Sequence, residues 1–84
     1  MADVKTKMVK LASRVKSLSA YEELRLAIAA KEIERPTRES IRKSIARTLN
    51  ESETRVGEKL AEHSDSDRIL DELIAHLDSA TGDN

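Results

Sequence analysis

The chain has 84 residues, with no cysteine, phenylalanine or tryptophan, a single tyrosine and a formal net charge of −1. A chain of this length forms one small domain that buries only about 60–65% of the surface of its unfolded state. The lack of cysteine excludes disulfides, thiolate metal sites and a cysteine nucleophile, and no apolar run approaches the roughly 18 residues of a membrane span. We therefore expect a thin aliphatic core in a soluble, cytoplasmic protein that makes no membrane contact.

The first predicted helix covers about residues 3–17. Its apolar residues recur at alternating spacings of four and three, as in an amphipathic helix; they are Val4, Met8, Leu11, Val15 and Leu18. A second helix, over about residues 20–34, begins with Ser19 and Glu22 as a capping box and ends before Pro36. Apolar residues occupy more than one of its faces, so we expect helix two to be the most buried and to contact several neighbours.

Caps also mark the next two predicted helices. Thr37 precedes helix three, over about residues 38–49. Helix four covers about residues 52–63 and starts either with a capping box of Asn50 and Glu53 or with Ser52 as its cap. The apolar residues expected to face inward in these two helices are Ile41, Ile45, Leu49, Val56 and Leu60.

The last helix begins at Ser64 and Asp67, where acidic residues favour the positive end of the helix dipole. Its apolar stripe is wide and consists of Ile69, Leu70, Leu73, Ile74 and Leu77. We expect residues 1–78 to form a single helical domain and residues 79–84 to form a flexible tail. The predicted fold class is all-α, a compact bundle of about five short helices that contains a helix-turn-helix-like pair.

That pair is defined by the spacing of Ala46, Asn50 and Val56. In helix-turn-helix proteins a small residue in the first helix packs against the second, a turn follows four residues later, and an apolar residue after the turn locks the two helices together. The segment over about residues 44–60 therefore resembles the generic motif of bacterial and archaeal DNA-binding regulators.

The resemblance implies a DNA-binding regulator that acts without catalysis, has double-stranded DNA as its partner and forms a homodimer on a two-fold repeated site. In such a protein the second helix of the motif faces the major groove and basic residues of the first contact phosphates. The implied nucleic-acid-binding residues are Arg38, Arg42, Lys43, Arg47, Ser52, Thr54, Arg55 and Lys59. A secondary basic face on helix one consists of Lys7, Lys10 and Arg14.

A second hypothesis comes from the charge distribution. Residues 1–18 carry five basic residues and one acidic residue, whereas residues 64–84 carry one basic and six acidic residues. Helix four is acidic as well, and carboxylates near phosphates weaken DNA binding. The alternative is a helical protein-protein interaction module, an adaptor, inhibitor or assembly subunit, that binds a protein partner through its basic first helix or acidic last helix.

Catalysis is not predicted. His63 and His76 are the only histidines, and neither has the spacing of a metal-ligand motif. The two glycines are too few for a phosphate-cradling loop. We expect no enzyme activity, no cofactor and no metal.

Overall fold

The computed structural model describes the backbone of residues 3–82 and the side chains of residues 4–79. Within that range the chain forms an all-α bundle of five helices without a strand, as predicted. The helices are α1 (Asp3–Ser13), α2 (Ala20–Lys31), α3 (Arg38–Leu49), α4 (Glu53–Ala61) and α5 (Ser66–Gly82). None of them combines the length and the low polarity that a membrane-crossing helix needs.

Side-chain caps start three of the helices. The Ser19 hydroxyl accepts from the Glu22 N–H at 3.2 Å, and the Glu22 carboxylate accepts from the Ser19 N–H at 3.0 Å, which confirms the predicted capping box. Thr37 caps α3 in the same reciprocal way with Ser40. Ser52 caps α4 by accepting from the backbone N–H three residues on, at 3.1 Å.

The alternative start of α4, with Asn50 and Glu53 as a capping box, is wrong. Asn50 instead terminates α3, with a left-handed backbone at φ 57° and ψ 45°. Asparagine tolerates this conformation better than most residues. The Glu51 N–H then donates to the Ala46 carbonyl at 2.8 Å, a bond typical of a Schellman helix end.

Several helix ends differ from the predicted ones. The helical part of α1 stops at Ser13, and the N–H groups of Arg14 and Val15 donate to carbonyls only three residues back, in a tight turn. Helix α2 also ends earlier, at Lys31, and α5 begins at Ser66, two residues later than predicted. The backbone of α5 remains helical to Gly82, into the segment predicted as a tail. Residues 83–84 of that segment lie outside the described residues, and its flexibility stays a prediction.

The core is aliphatic, as predicted from the composition. Its fully buried large side chains come from all five helices: Met8, Leu11, Leu26, Ile41, Ile45, Leu49, Val56, Leu70 and Leu73. The predicted inner stripes of α1, α3, α4 and α5 all face this core, with Val4, Leu18 and Ile74 at its margin. Tyr21 contributes nothing to it, being 69% exposed.

The central helix is α3, and the prediction that helix two is the most buried is wrong. Helix α3 contacts each of the other four helices, and it buries five residues, Ile41, Ile45, Ala46, Thr48 and Leu49. Helix α2 packs mainly against α1 and α3, and only Leu26 and Ala30 are buried in it. Its remaining apolar faces are therefore not covered by neighbours.

Candidate functional site

The α3–α4 connection has the tight geometry that its residue spacing predicts. Ala46 and Val56 are 4% and 0% exposed, so the two helices pack closely on either side of the turn. Asn50 makes the left-handed bend between them. Any close helix pair has these features, so a role in DNA binding depends on the charge of the exposed surface.

The two cations of α4 form ion pairs with neighbouring carboxylates. Arg55 Nε lies 3.2 Å from Glu51 Oε1, and Lys59 Nζ lies 3.7 Å from Glu62 Oε2. Exposed pairs of this kind contribute little stability, but they cancel positive charge where DNA phosphates would approach. Both residues therefore offer less net positive charge to an approaching phosphate than unpaired cations would.

The rest of the α4 surface is uncharged or acidic. The Ser52 side chain is the helix cap, and Thr54 is exposed without a charge. Glu53 and Glu58 are exposed, and neither has an ion-pair partner among the described residues. A major-groove helix with this surface would bring unpaired carboxylates against the phosphates.

The cations of α3 do not share one face. Arg38 donates to both carboxylate oxygens of Asp71, at 2.8 and 2.7 Å, and has a longer contact of 3.4 Å with Asp67. Arg42 lines a crevice of about 480 Å³ between α3, α4 and α5. Arg47 and Lys43 line a different groove, between α2 and α3. The predicted phosphate contacts are thus divided among three places.

The secondary basic face of helix one is directed largely at α5. Lys7 Nζ lies 3.0 Å from Glu72 Oε1. Arg14 Nη1 lies 2.8 Å from Asp65 Oδ1, while Lys10 is exposed. The Arg14 hydrogen bonds hold the pKa of Asp65 below its usual value, and the Lys7 hydrogen bond does the same for Glu72. Two of the five basic residues in positions 1–18 therefore pair with the acidic C-terminal segment within the bundle.

An exposed apolar stripe lies on α2, where sequence analysis expected burial. Tyr21, Leu24 and Ile28 are 69%, 55% and 51% exposed. Their spacing of three and four residues places them on one side of the helix. The guanidinium of Arg25 lies 5.8 Å from the centre of the Tyr21 ring, within the range of a cation-π contact. We call Tyr21, Leu24 and Ile28 the α2 stripe.

The stripe runs into a groove of about 690 Å³ between α2 and α3, which we call the α2–α3 groove. Ile28 belongs to both, and Ile33 adds a second large apolar side chain to the groove lining. Four cations also line the groove: Arg25, Arg35, Lys43 and Arg47. Glu32 and Glu34 are its two carboxylates, so its formal charge is positive.

Three of the four cations that line the α2–α3 groove are unpaired within the described part of the chain. Arg25, Arg35 and Arg47 have no ion-pair partner among the described residues, whereas Lys43 Nζ lies 3.8 Å from Glu39 Oε1. Lys7, Arg14 and Arg38 are paired with carboxylates in or next to α5. The groove also lies away from the helix-turn-helix-like pair's second helix. The site is not apparent from the sequence, because a second apolar face on a helix normally indicates burial.

Among the described residues we find neither a metal-binding cluster nor a carboxyl group whose pKa is raised. They contain no group of three or more histidine, aspartate or glutamate side chains close enough to hold a metal ion. Every carboxyl whose pKa shifts is shifted downward by a cation or a hydrogen bond, as at Asp71, where the Arg38 hydrogen bonds are the main cause. A general acid near neutral pH requires the opposite shift. His63 is exposed at the mouth of the α3–α4–α5 crevice.

Comparisons with protein-family models, with curated proteins and with solved structures found no match. The class that the fold itself defines is a small all-α helical bundle. Its function has to be inferred from the surface of the bundle.

Proposed function

We propose that this chain is a helical protein-interaction module that acts without catalysis, and that the α2 stripe with the α2–α3 groove is its binding surface. The observation that carries the proposal is the exposure of three large apolar side chains in a row on one helix, beside a groove. Contiguous apolar surface rimmed by polar residues marks interaction sites on soluble proteins.

The free energy of apolar burial also supports the α2 stripe as a binding surface. Full burial of a large aliphatic side chain is worth about 1.5–3 kcal/mol. A bundle with so thin a core leaves Leu24 and Ile28 half uncovered, although both are large aliphatic residues. A partner that covers the stripe would recover part of this free energy on binding.

The DNA-binding regulator implied by the helix-turn-helix resemblance has less support. Arg55 and Lys59 are paired with carboxylates, and Glu53 and Glu58 are exposed beside them. A phosphate-binding surface gains affinity from each free cation and loses it from each carboxylate. The apolar stripe, in contrast, has no part in a DNA interface on α4.

The test is quantitative capture from an extract of the native host with three immobilised proteins. These are the unmodified chain, a Leu24→Gln/Ile28→Gln variant, and a control variant, Ala61→Gln/Ala75→Gln, that changes two exposed positions on other helices. We expect a protein that is retained by the unmodified chain and the control and is lost from the stripe variant. In titration calorimetry with that purified protein, the unmodified chain and the control should bind with similar affinity, and the stripe variant should bind more weakly.

A DNA titration tests the competing regulator hypothesis. Anisotropy titrations against mixed-sequence double-stranded DNA run in parallel at low and moderate salt. If no protein depends on the stripe, and DNA binds with a steep salt dependence that Arg55→Ala or Lys59→Ala reduces, the interaction-module proposal is wrong and the regulator hypothesis gains.

A further inference from the structure

We propose that the α2–α3 groove binds an acidic amphipathic helix of another protein. This inference rests on the proposed function, because it names the partner of the same surface. It follows from two properties found together there, an apolar line and free positive charge.

The apolar line that leads from the α2 stripe into the groove fits a helix. Leu24 and Ile28 are one helical turn apart on α2, about 6 Å along the axis. Both are about half exposed, and Ile33 continues the apolar lining beyond the end of α2. A helix lying along such a line contacts it with residues at i, i+3 or i+4, and i+7. Because α2 has 12 residues and spans about 18 Å, a partner helix of three to four turns covers it.

The charged residues of the groove indicate the sign of the partner's charge. Lys43 and Arg47 are also one turn apart, on α3, and both line the groove. Arg47 has no ion-pair partner among the described residues, and Lys43 Nζ lies 3.8 Å from Glu39 Oε1 in an exposed pair that a partner carboxylate can replace at little cost. Carboxylates one turn apart on a bound helix would face these two cations at matching spacing. Arg25 and Arg35 add positive charge on the α2 side, with no ion-pair partner among the described residues. Four cations against two carboxylates leave the groove positive, which favours an acidic occupant.

A second copy of this chain fits the groove poorly. The acidic helices α4 and α5 use their apolar faces in the core, with Val56 and Leu73 both fully buried. Asp71 of α5 is already bound by Arg38. No described helix therefore presents an exposed face that is both apolar and acidic. Pairing two copies groove to groove would bring like charges together.

The experiment uses two fluorescein-labelled designed peptides of about 14 residues, long enough for three to four helical turns. Both carry leucines at i, i+3, i+4 and i+7 spacing. One has glutamates on the flanks, and the other has a lysine in place of each glutamate. The proteins are the full chain, a Lys43→Glu/Arg47→Glu variant, and a Lys5→Glu/Lys10→Glu control that makes the same charge change at exposed positions on α1. Circular dichroism verifies that each variant is folded.

We expect the unmodified chain and the control to bind the glutamate peptide with micromolar dissociation constants. The Lys43→Glu/Arg47→Glu variant should weaken that binding at least about tenfold, since two attractive pairs become repulsive. It should also bind the lysine peptide more tightly than the unmodified chain does. This exchange of preference cannot arise from misfolding.

Four outcomes of these measurements overturn the inference, and a fifth comes from the capture experiment. They are no binding of the glutamate peptide, equal binding of both peptides, displacement of the glutamate peptide by double-stranded DNA, and a mass by light scattering that shows a dimer lost in Leu24→Gln/Ile28→Gln. The last identifies a second copy as the occupant. If a captured host protein depends on Leu24 and Ile28 but tolerates Lys43→Glu/Arg47→Glu, the inference is wrong while the interaction-module proposal stands.

Discussion

Ile28 and Ile45 are the same residue on neighbouring helices, but they differ in burial. Ile28 is 51% exposed on α2, and Ile45 is 0% exposed on α3. Replacing each with alanine removes identical atoms from the two environments. The pair therefore tests whether the α2 stripe is exposed in solution, on which both proposals depend.

The expected magnitudes follow from the burial. An isoleucine-to-alanine change at a fully buried site removes three carbons at about 0.8 kcal/mol each and leaves a cavity, so Ile45→Ala should cost about 3–4 kcal/mol of unfolding free energy. At Ile28 about half of that surface already contacts water, which limits the loss to about 1.2 kcal/mol. The better helix propensity of alanine offsets about 0.4 kcal/mol of it. Ile28→Ala should therefore cost about 1 kcal/mol or less.

The assay is urea unfolding monitored by far-ultraviolet circular dichroism. The chain has no tryptophan and its single tyrosine is exposed, so intrinsic fluorescence would report the core poorly. Each variant is measured at two protein concentrations, because a dimer makes stability concentration-dependent. A total stability of about 4–12 kcal/mol for a chain of this size leaves room to measure both changes.

A cost at Ile28 as large as that at Ile45 in dilute protein would refute the reasoning, since it would mean that α2 buries its stripe within the monomer. A large cost seen only at high concentration would mean that a second copy covers it.

Three further predictions concern local features. Asp65→Asn should lower the urea midpoint near pH 7, and the difference from the unmodified chain should vanish in acid. The Arg14 hydrogen bonds lower the pKa of Asp65 in the folded state below the usual 3.8. The stabilisation is therefore present above pH 3.8 and is lost as the pH falls through the folded-state pKa. Ser52→Ala should cost about 1 kcal/mol, since the α4 cap is lost, whereas Thr54→Ala at the neighbouring exposed position should change stability by less than about 0.5 kcal/mol; urea midpoints compare the two. Gly57→Ala should raise the thermal midpoint by the equivalent of about 0.5–1 kcal/mol, because an added Cβ meets nothing within 4 Å and alanine has the better helix propensity; a lower midpoint would mean that α4 packs differently.

The candidate site was only partly predictable. The sequence shows that helix two carries more apolar surface than one face needs, and that observation is correct. The prediction that helix two is the most buried is wrong, because α2 packs mainly against only two helices, α1 and α3. The helix-turn-helix spacing predicts Lys43 and Arg47 as phosphate contacts, but nothing in the sequence indicates that Arg25 and Arg35 lie in the same groove.

The charge gradient shows the same limitation. Counting residues by segment predicts a basic first helix and an acidic last helix, but it cannot say whether they face a partner or each other. The structure places Lys7 against Glu72 and Arg14 against Asp65, so part of the opposite charge of the two segments is paired inside the bundle. The Arg38–Asp71 ion pair joins α3 to α5 in the same way.

The sequence by itself determined the all-α class, the presence of five helices, the aliphatic core, the Ser19 cap and the inner stripes of four helices. These features arise from interactions within a few residues along the chain, such as a capping hydroxyl three positions away or an apolar residue one turn on, and such spacings are visible in the sequence. Only the tertiary structure decided which helix is central, which cations remain free and which apolar stripe stays uncovered. Those outcomes depend on contacts between residues far apart in the chain, such as Arg14 with Asp65, and no local pattern encodes them.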